Sequence, residues 1–122
     1  MSDYKKRLGE YGENLAADFL IRKGCKILDK NFRISCGEID LIAESGDELL
    51  FIEVKTRTDS LLGYPELAVD WQKLQKITQT AQYYIQNRKL NKFWRLDIIS
   101  IEINRAKKSA KITWFKNVGN NI

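Results

Sequence analysis

Three residues in two neighbouring segments of the chain have the types and the spacing that metal-assisted hydrolysis requires. Asp40 lies in the first segment, and Glu53 and Lys55 lie in the second, beyond a short turn. The two carboxylates and the backbone carbonyl of Val54 offer the oxygen ligands that Mg²⁺ and Mn²⁺ prefer. The lysine can orient or deprotonate an attacking water, so the group predicts a catalytic centre suited to phosphodiester hydrolysis.

A surface hairpin is the alternative interpretation, because an aspartate followed by Glu-x-Lys occurs by chance in many proteins. The charges would then pair as solvated salt bridges, which contribute little to stability. Two features favour the catalytic interpretation. Asp40 and Glu53 lie within otherwise apolar strands, where an unpartnered carboxylate is costly. Like charges placed side by side are also unfavourable unless a cation joins them.

Two further acids come into question as metal ligands. Glu13 lies at the flank of the apolar stripe of the first predicted helix, from which it could reach Asp40. The alternative is an ordinary helical acid near an N-terminus, where the helix dipole favours negative charge. Asp97 alternates with apolar neighbours on a late strand, and we expect it to pair with Arg95 instead of binding a metal.

Two helices are predicted from apolar residues at helical spacing. The first spans about residues 4–23, and its apolar stripe consists of Leu8, Tyr11, Gly12, Leu15, Ala16, Phe19 and Leu20. The second spans about residues 66–88, with one apolar face formed by Leu74, Ile77, Ala81, Tyr84 and Ile85. Both helices are needed to cover the core of a sheet.

Five strands are predicted, at about residues 27–34, 39–43, 49–56, 93–103 and 111–115. In the second strand the residue types alternate, which predicts two sets of side chains on opposite faces. One set is Ile39, Leu41 and Ala43, and the other is Glu38, Asp40 and Ile42. The same period of two places Glu53 and Lys55 on one face of the third strand and Val54 on the other. The second and third strands are expected to pair as a hairpin. The order predicts an α/β fold with a mixed central sheet flanked by two main helices.

The composition narrows the class of protein. The 122 residues predict a single domain spanning residues 1–122. There is no histidine, which removes the commonest general base and the commonest zinc ligand. The apolar runs are too short for a membrane span, and no apolar segment follows the basic N-terminus as in a signal peptide. Two cysteines suggest reduced thiols, so we expect a cytoplasmic protein without a membrane partner.

The charge points to a polyanionic partner. The net charge is +5, with basic residues concentrated at positions 5–7 and in an acid-free run over residues 105–116. Such a surface favours nucleic acid, or else an anionic membrane, although many basic proteins bind neither. Four basic residues are candidate contacts to nucleic-acid phosphates. They are Arg33, Arg57, Lys73 and Lys76.

Five segments of the sequence together resemble the YraN family of small bacterial proteins. They are GEYGENLA at 9–16, NFR at 31–33, GEIDLI at 37–42, EVKTR at 53–57 and RLD at 95–97. The resemblance implies the restriction-endonuclease-like PD-(D/E)xK fold, as in archaeal Holliday junction resolvases. It also implies that Glu13, Asp40, Glu53 and Lys55 hold the metal and catalytic positions. Ile39 stands where the motif of this nuclease class has a proline. That proline is not a metal ligand, so the resemblance tolerates the replacement.

Three hypotheses of function follow. The first is a Mg²⁺- or Mn²⁺-dependent endonuclease that cleaves DNA, including branched or structured DNA, and acts as a homodimer, as small resolvases do. The second is a nucleic-acid-binding module with weak or accessory catalysis. The third is an interaction protein that keeps the fold for stability alone. The presence of Asp40, Glu53 and Lys55 together argues against the third hypothesis, because a decayed site would have lost one of them.

Overall fold

The order of helices and strands agrees with the predicted order. The computed structural model describes residues 2–58 and 70–119. Its elements are α1 (Ser2–Arg22), β1 (Lys26–Ile34), β2 (Gly37–Ser45), β3 (Glu48–Thr58), α2 (Trp71–Asn87), β4 (Phe93–Asn104) and β5 (Ser109–Phe115). The sequence predicts that the second helix begins at residue 66, and positions 66–69 lie outside the described residues. α2 begins instead behind Asp70, whose side chain caps it.

All five strands form one mixed sheet in the order β1-β2-β3-β4-β5. β1, β2 and β3 are antiparallel neighbours, β3 and β4 are parallel, and β4 and β5 are antiparallel. The predicted hairpin of β2 and β3 is therefore confirmed. So is the predicted α/β class, since a mixed sheet with a helix on each face is the arrangement expected of a restriction-endonuclease-like fold.

The two helices cover opposite faces of the sheet with separate apolar clusters. On the α1 side the buried residues are Ala16, Ala17, Leu20, Cys25, Leu41, Ala43, Leu50, Ile52, Ile99 and Ile101. On the α2 side they are Ile39, Ile42, Leu49, Phe51, Leu74, Ile77, Ala81, Tyr84 and Leu96. Each fully buried large side chain contributes roughly 1.5–3 kcal/mol. No helix in the described ranges is long and apolar enough to cross a membrane.

The predicted stripe of α1 is wrong at Tyr11, which is 53% exposed. The reason is its position around the helix. The buried positions of α1 include Gly12, Ala16, Ala17 and Leu20. At 3.6 residues per turn Tyr11 lies about 140° around the helix from Ala16, beside the exposed Asp18, and therefore outside the buried face.

Two glycines allow the helices to approach the strands that carry the candidate site. A Cβ at Gly12 on α1 would lie 1.8 Å from Oγ1 of Thr56 on β3. A Cβ at Gly37, where β2 begins, would lie 2.5 Å from Oγ1 of Thr80 on α2. Both separations are far below van der Waals contact, so any larger residue would force the elements apart.

Asp97 is a structural anchor, as expected. Its buried carboxylate accepts hydrogen bonds from Nε of Arg95 at 3.0 and 3.2 Å, from Nε1 of Trp114 at 2.8 Å and from the backbone N–H of Asn117 at 2.8 Å. Arg95 also contacts Glu48 at 2.7 Å. The carboxylate therefore ties β4 to β5 and to β3, and its oxygens are engaged by protein donors.

Candidate functional site

Asp40 lies at an irregular point of β2. Ile39 packs in the cluster on the α2 side, whereas Leu41 packs on the α1 side. Residues two apart share a face in a regular strand, so the prediction of a shared face for these two residues is wrong. Across the ladder Asn31 has a φ of +53°, a conformation that asparagine tolerates better than most residues. This local twist explains why the alternation fails here.

The Asp40 carboxylate takes the place of a strand partner for β3. The backbone ladder between β2 and β3 ends at the pair of Leu41 and Ile52. One step further, Oδ2 of Asp40 accepts the N–H of Val54 at 2.8 Å. Because the N–H and C=O of a strand residue point to the same side, the Val54 carbonyl also faces the Asp40 side. That orientation agrees with its predicted role as an oxygen ligand.

Asp40 is surrounded by other acids. Burial is the largest cause of the rise in the pKa of its carboxyl from 3.8 to about 6, and the hydrogen bond from Val54 opposes it. The negative charges of Glu13, Glu53 and Glu38 contribute to the same rise. A concentration of negative charge at a half-buried carboxylate is what a divalent cation would neutralise.

Glu53 faces the α2 side of the sheet and is only 7% exposed. Its Oε1 forms an ion pair with Nζ of Lys73, a residue in the first turn of α2. Burial lowers the pKa of Lys73, but the hydrogen bond and charge of Glu53, with the charges of Asp40 and Asp70, raise it above its ordinary value. Lys73, predicted as a phosphate contact, thus lies within the acidic cluster.

Lys55 lies on the same face as Glu53, as predicted. Val54, between them, packs instead into the cluster beneath α1. Lys55 is half-buried and stands opposite Ser100, a buried residue of β4, in the parallel ladder. Two of the predicted catalytic residues are therefore held on the most central strand, where the backbone is paired along its length with β4.

Glu13 extends the acidic cluster from α1. Its carboxylate accepts a hydrogen bond from the side chain of Asn31. Burial raises its pKa above 4.5, and the charges of Glu38 and Glu10 add to the increase, while the Asn31 hydrogen bond opposes it. The charge of Glu13 acts on Asp40. The helix thus brings a third carboxylate toward the strand pair.

An open groove of about 390 Å³ leads past Glu13. Its lining includes Lys5, Lys6 and Arg33, and Arg33 forms an exposed ion pair with Glu38 at 3.0 Å. The other predicted phosphate contacts, Arg57 on β3 and Lys76 on α2, are exposed. The sequence places Lys5 and Lys6 in the basic N-terminus but does not assign them to the site, because which face of α1 turns toward Arg33 depends on how the helix docks on the sheet.

The donor set at the site fits a hard divalent cation. Asp40, Glu53 and the carbonyl of Val54 are the groups that would hold it, because all three supply oxygen atoms, Asp40 is hydrogen-bonded to Val54 and the charge of Glu53 acts on Asp40. Within residues 2–58 and 70–119, no three acidic or thiol side chains converge as ligands. Glu13 therefore adds charge without completing a third ligand position, and the Lys73 ammonium competes with a cation for Glu53.

A model of the uncharacterised protein family UPF0102 matches residues 12–101, which include Glu13, Asp40, Glu53 and Lys55. The chain belongs to this family. Similar UPF0102 proteins occur in Clostridium tetani, with 42% identity over 96% of this chain and 97% of the relative, and in Caldanaerobacter subterraneus, with 47% identity over 84% and 85%. The protein of Thermodesulfovibrio yellowstonii is 49% identical over 77% and 84%. The resemblance to the YraN family is thereby confirmed.

Proposed function

We propose that this UPF0102 protein is a metal-dependent endonuclease that hydrolyses phosphodiester bonds in DNA with Mg²⁺ or Mn²⁺. The observation that carries the proposal is the half-buried Asp40 carboxylate, which accepts the N–H of Val54 and lies among the acids Glu13 and Glu53, so that its pKa is raised to about 6. A fold does not retain such a costly concentration of charge for stability, because apolar residues would pack there at lower cost.

Each residue of the centre has a distinct role. Asp40, Glu53 and the Val54 carbonyl would hold the cation, which when bound polarises the scissile phosphate and acidifies water. Lys55, on the face of Glu53, orients the attacking water and stabilises the charge that develops on the phosphate. Lys73 neutralises Glu53 in the absence of a cation and keeps its carboxylate oriented toward α2.

The substrate class follows from where the basic residues lie. β3 and β4 are parallel, so their carboxyl ends meet at one edge of the sheet. Arg57 and the exposed turn at 105–108 lie at this edge, and Lys5, Lys6 and Arg33 line the groove beside Glu13. A phosphate backbone crossing the edge would meet basic residues on both sides of the acidic centre.

The proposal includes a cytoplasmic homodimer that acts on branched or structured DNA. A two-fold dimer presents two equivalent sites, as a junction with two equivalent strands requires. Cys25 and Cys36 are both free thiols, which suits a reducing compartment.

A nucleic-acid-binding module with weak or accessory catalysis is the second candidate. The ion pair of Glu53 with Lys73 favours it, because the ammonium already neutralises one of the two carboxylates on which a cation depends. A partner that moves α2 would then be needed to release Glu53. The two candidates share the DNA-binding surface and differ in whether the isolated protein cleaves.

Cleavage of plasmid, single-stranded and four-way DNA in Mg²⁺, Mn²⁺ or EDTA separates the two candidates. The nuclease proposal expects cation-dependent cleavage that EDTA abolishes. Glu53→Gln, purified in parallel, is the control for a contaminating nuclease, and it should be inactive. Binding of DNA without cleavage in either cation would support the binding module, and no binding to any of the three DNAs would contradict both candidates.

A further inference from the structure

A second groove, of about 350 Å³, lies where the N-terminal part of α1 passes the carboxyl ends of β3 and β4. Tyr4 and Tyr11 line it and are 40% and 53% exposed. Seven residues apart on one helix, they share a face and lie about 10 Å apart along the axis. Leu8 lies between them, and Thr58 and Ile103 line the sheet side of the groove.

The charges in this groove have one sign. Arg7 lines it from α1 and Arg105 from the turn after β4, and the described residues that line it include no acid. An apolar helix or loop would offer these two guanidinium groups no acceptor, whereas a phosphate can accept charge-assisted hydrogen bonds from both. Two exposed aromatic rings with two arginines instead match a ligand that has an aromatic ring and a phosphate. A nucleotide has both.

The groove adjoins the candidate centre at the carboxyl end of β3. Thr58 lines the groove and follows Lys55 by three residues, about 10 Å along the strand. Lys55 faces the α2 side of the sheet and the groove lies on the α1 side. A nucleic-acid strand with a phosphate at Lys55 that crosses the carboxyl end of β3, past Arg57, would reach the tyrosines within a few nucleotides. The bases of a paired duplex are stacked and turned inward, so only an unpaired nucleotide can present its ring to this groove.

We propose that the groove binds an unpaired nucleotide of the DNA substrate. The base stacks on Tyr4 or Tyr11, and the adjacent phosphate pairs with Arg7 and Arg105. The inference rests on the proposed function and narrows its substrate class to DNA with a single-stranded segment beside the cleaved bond, as in a flap or an open branch point.

Binding to a flap labelled with 2-aminopurine tests this site. The measurement is made in EDTA, so that affinity is read without cleavage. The wild type should bind the flap DNA more tightly than a blunt duplex of the same sequence, and stacking should quench the 2-aminopurine fluorescence. In Tyr4→Leu/Tyr11→Leu we expect the quenching to disappear and flap affinity to fall about tenfold or more, with duplex affinity unchanged. Tyr4→Phe/Tyr11→Phe should restore both signals.

Tyr83→Leu is the matched control, because Tyr83 is also exposed but lies on α2. It should leave quenching and flap affinity unchanged. Flap affinity and quenching that survive in the double leucine variant would overturn the site, as would loss of dimerisation in that variant with DNA affinity intact. If the protein cleaves DNA but its flap binding does not depend on the tyrosines, the nucleotide site in the groove is overturned and the proposed catalysis is not. Intact tyrosine-dependent flap binding without cleavage overturns the proposed catalysis alone.

Discussion

Asp40 has two effects at the site: it accepts a backbone hydrogen bond and it adds a negative charge. It holds the N–H of Val54 where the ladder between β2 and β3 ends, and its carboxylate lies among other acids. Substitution by alanine would remove both contributions, so a loss of activity could not be distinguished from a loss of stability. Asparagine keeps an acceptor oxygen for Val54 and removes only the charge, so Asp40→Asn is the informative substitution.

The raised pKa of Asp40 predicts how stability depends on pH without a cation. Between about pH 4 and pH 6 the unfolded Asp40 ionises while the folded one keeps its proton, so ionisation lowers the free energy of unfolding of the wild type. The asparagine side chain of the variant does not titrate. In EDTA, Asp40→Asn should therefore gain roughly 1–3 kcal/mol over the wild type between pH 4 and pH 7. Urea unfolding at both pH values measures this, and parallel profiles would contradict it.

Lys55 is predicted to act on the reaction and not on the metal. A protonated lysine cannot ligate a cation, so Lys55→Ala should retain Mn²⁺ affinity by calorimetry while cleavage falls roughly 100-fold. Lys76→Ala is the control, since Lys76 is an exposed lysine on α2. It should weaken DNA binding only slightly and leave the cleavage rate of bound DNA unchanged. Unchanged cleavage by Lys55→Ala at saturating metal would remove Lys55 from the mechanism.

At the scale of helices and strands, periodicity predicts the type and order of every element. It cannot predict the irregularity at Asp40, because a positive φ at Asn31 leaves no trace in the spacing of apolar residues. It also assigns Lys73 to the polar side of α2. The contact of Lys73 with Glu53 depends on how the first turn of α2 docks on the sheet, which involves residues far apart in sequence.

The docking of α1 on β3 gives a prediction with a matched control. A methyl group at Gly12 would overlap the half-buried side chain of Thr56, so Gly12→Ala should lower the free energy of unfolding by roughly 1–3 kcal/mol. Gly9, also within α1, has open space around its Cα. Gly9→Ala should therefore raise stability by up to about 1 kcal/mol through helix propensity. Denaturant titrations compare the two variants, and equal effects would contradict this account of the packing.

At the scale of the whole molecule, the edge of the sheet formed by the carboxyl ends of β3 and β4 lies beside the acidic centre, both grooves and much of the basic surface. The net charge of +5 is readable from composition, but its placement requires the topology. Arg57 and the turn at 105–108 are far apart in sequence and meet only because β3 and β4 are parallel neighbours. A single domain over residues 1–122 stays a prediction.

DNA binding should weaken steeply with salt if this edge is the binding surface. Each phosphate contact adds about −0.9 to the slope of log affinity against log salt, so four to six contacts give roughly −4 to −5. Lys107→Gln/Lys108→Gln, in the turn after β4, should make the slope less steep by about 2. Fluorescence anisotropy over a salt series measures both slopes. A slope near zero in the wild type would contradict an electrostatic surface.

The central claim is that Asp40 belongs to a catalytic metal centre, and one paired measurement tests it most directly. Wild type and Asp40→Asn are compared by calorimetric titration with Mn²⁺ and by cleavage of labelled four-way DNA. The account predicts that the variant folds, still binds DNA, and loses Mn²⁺ affinity and cleavage together. Cleavage at the wild-type rate by a folded Asp40→Asn protein would contradict the account, because Asp40 would then be only the strand partner of Val54.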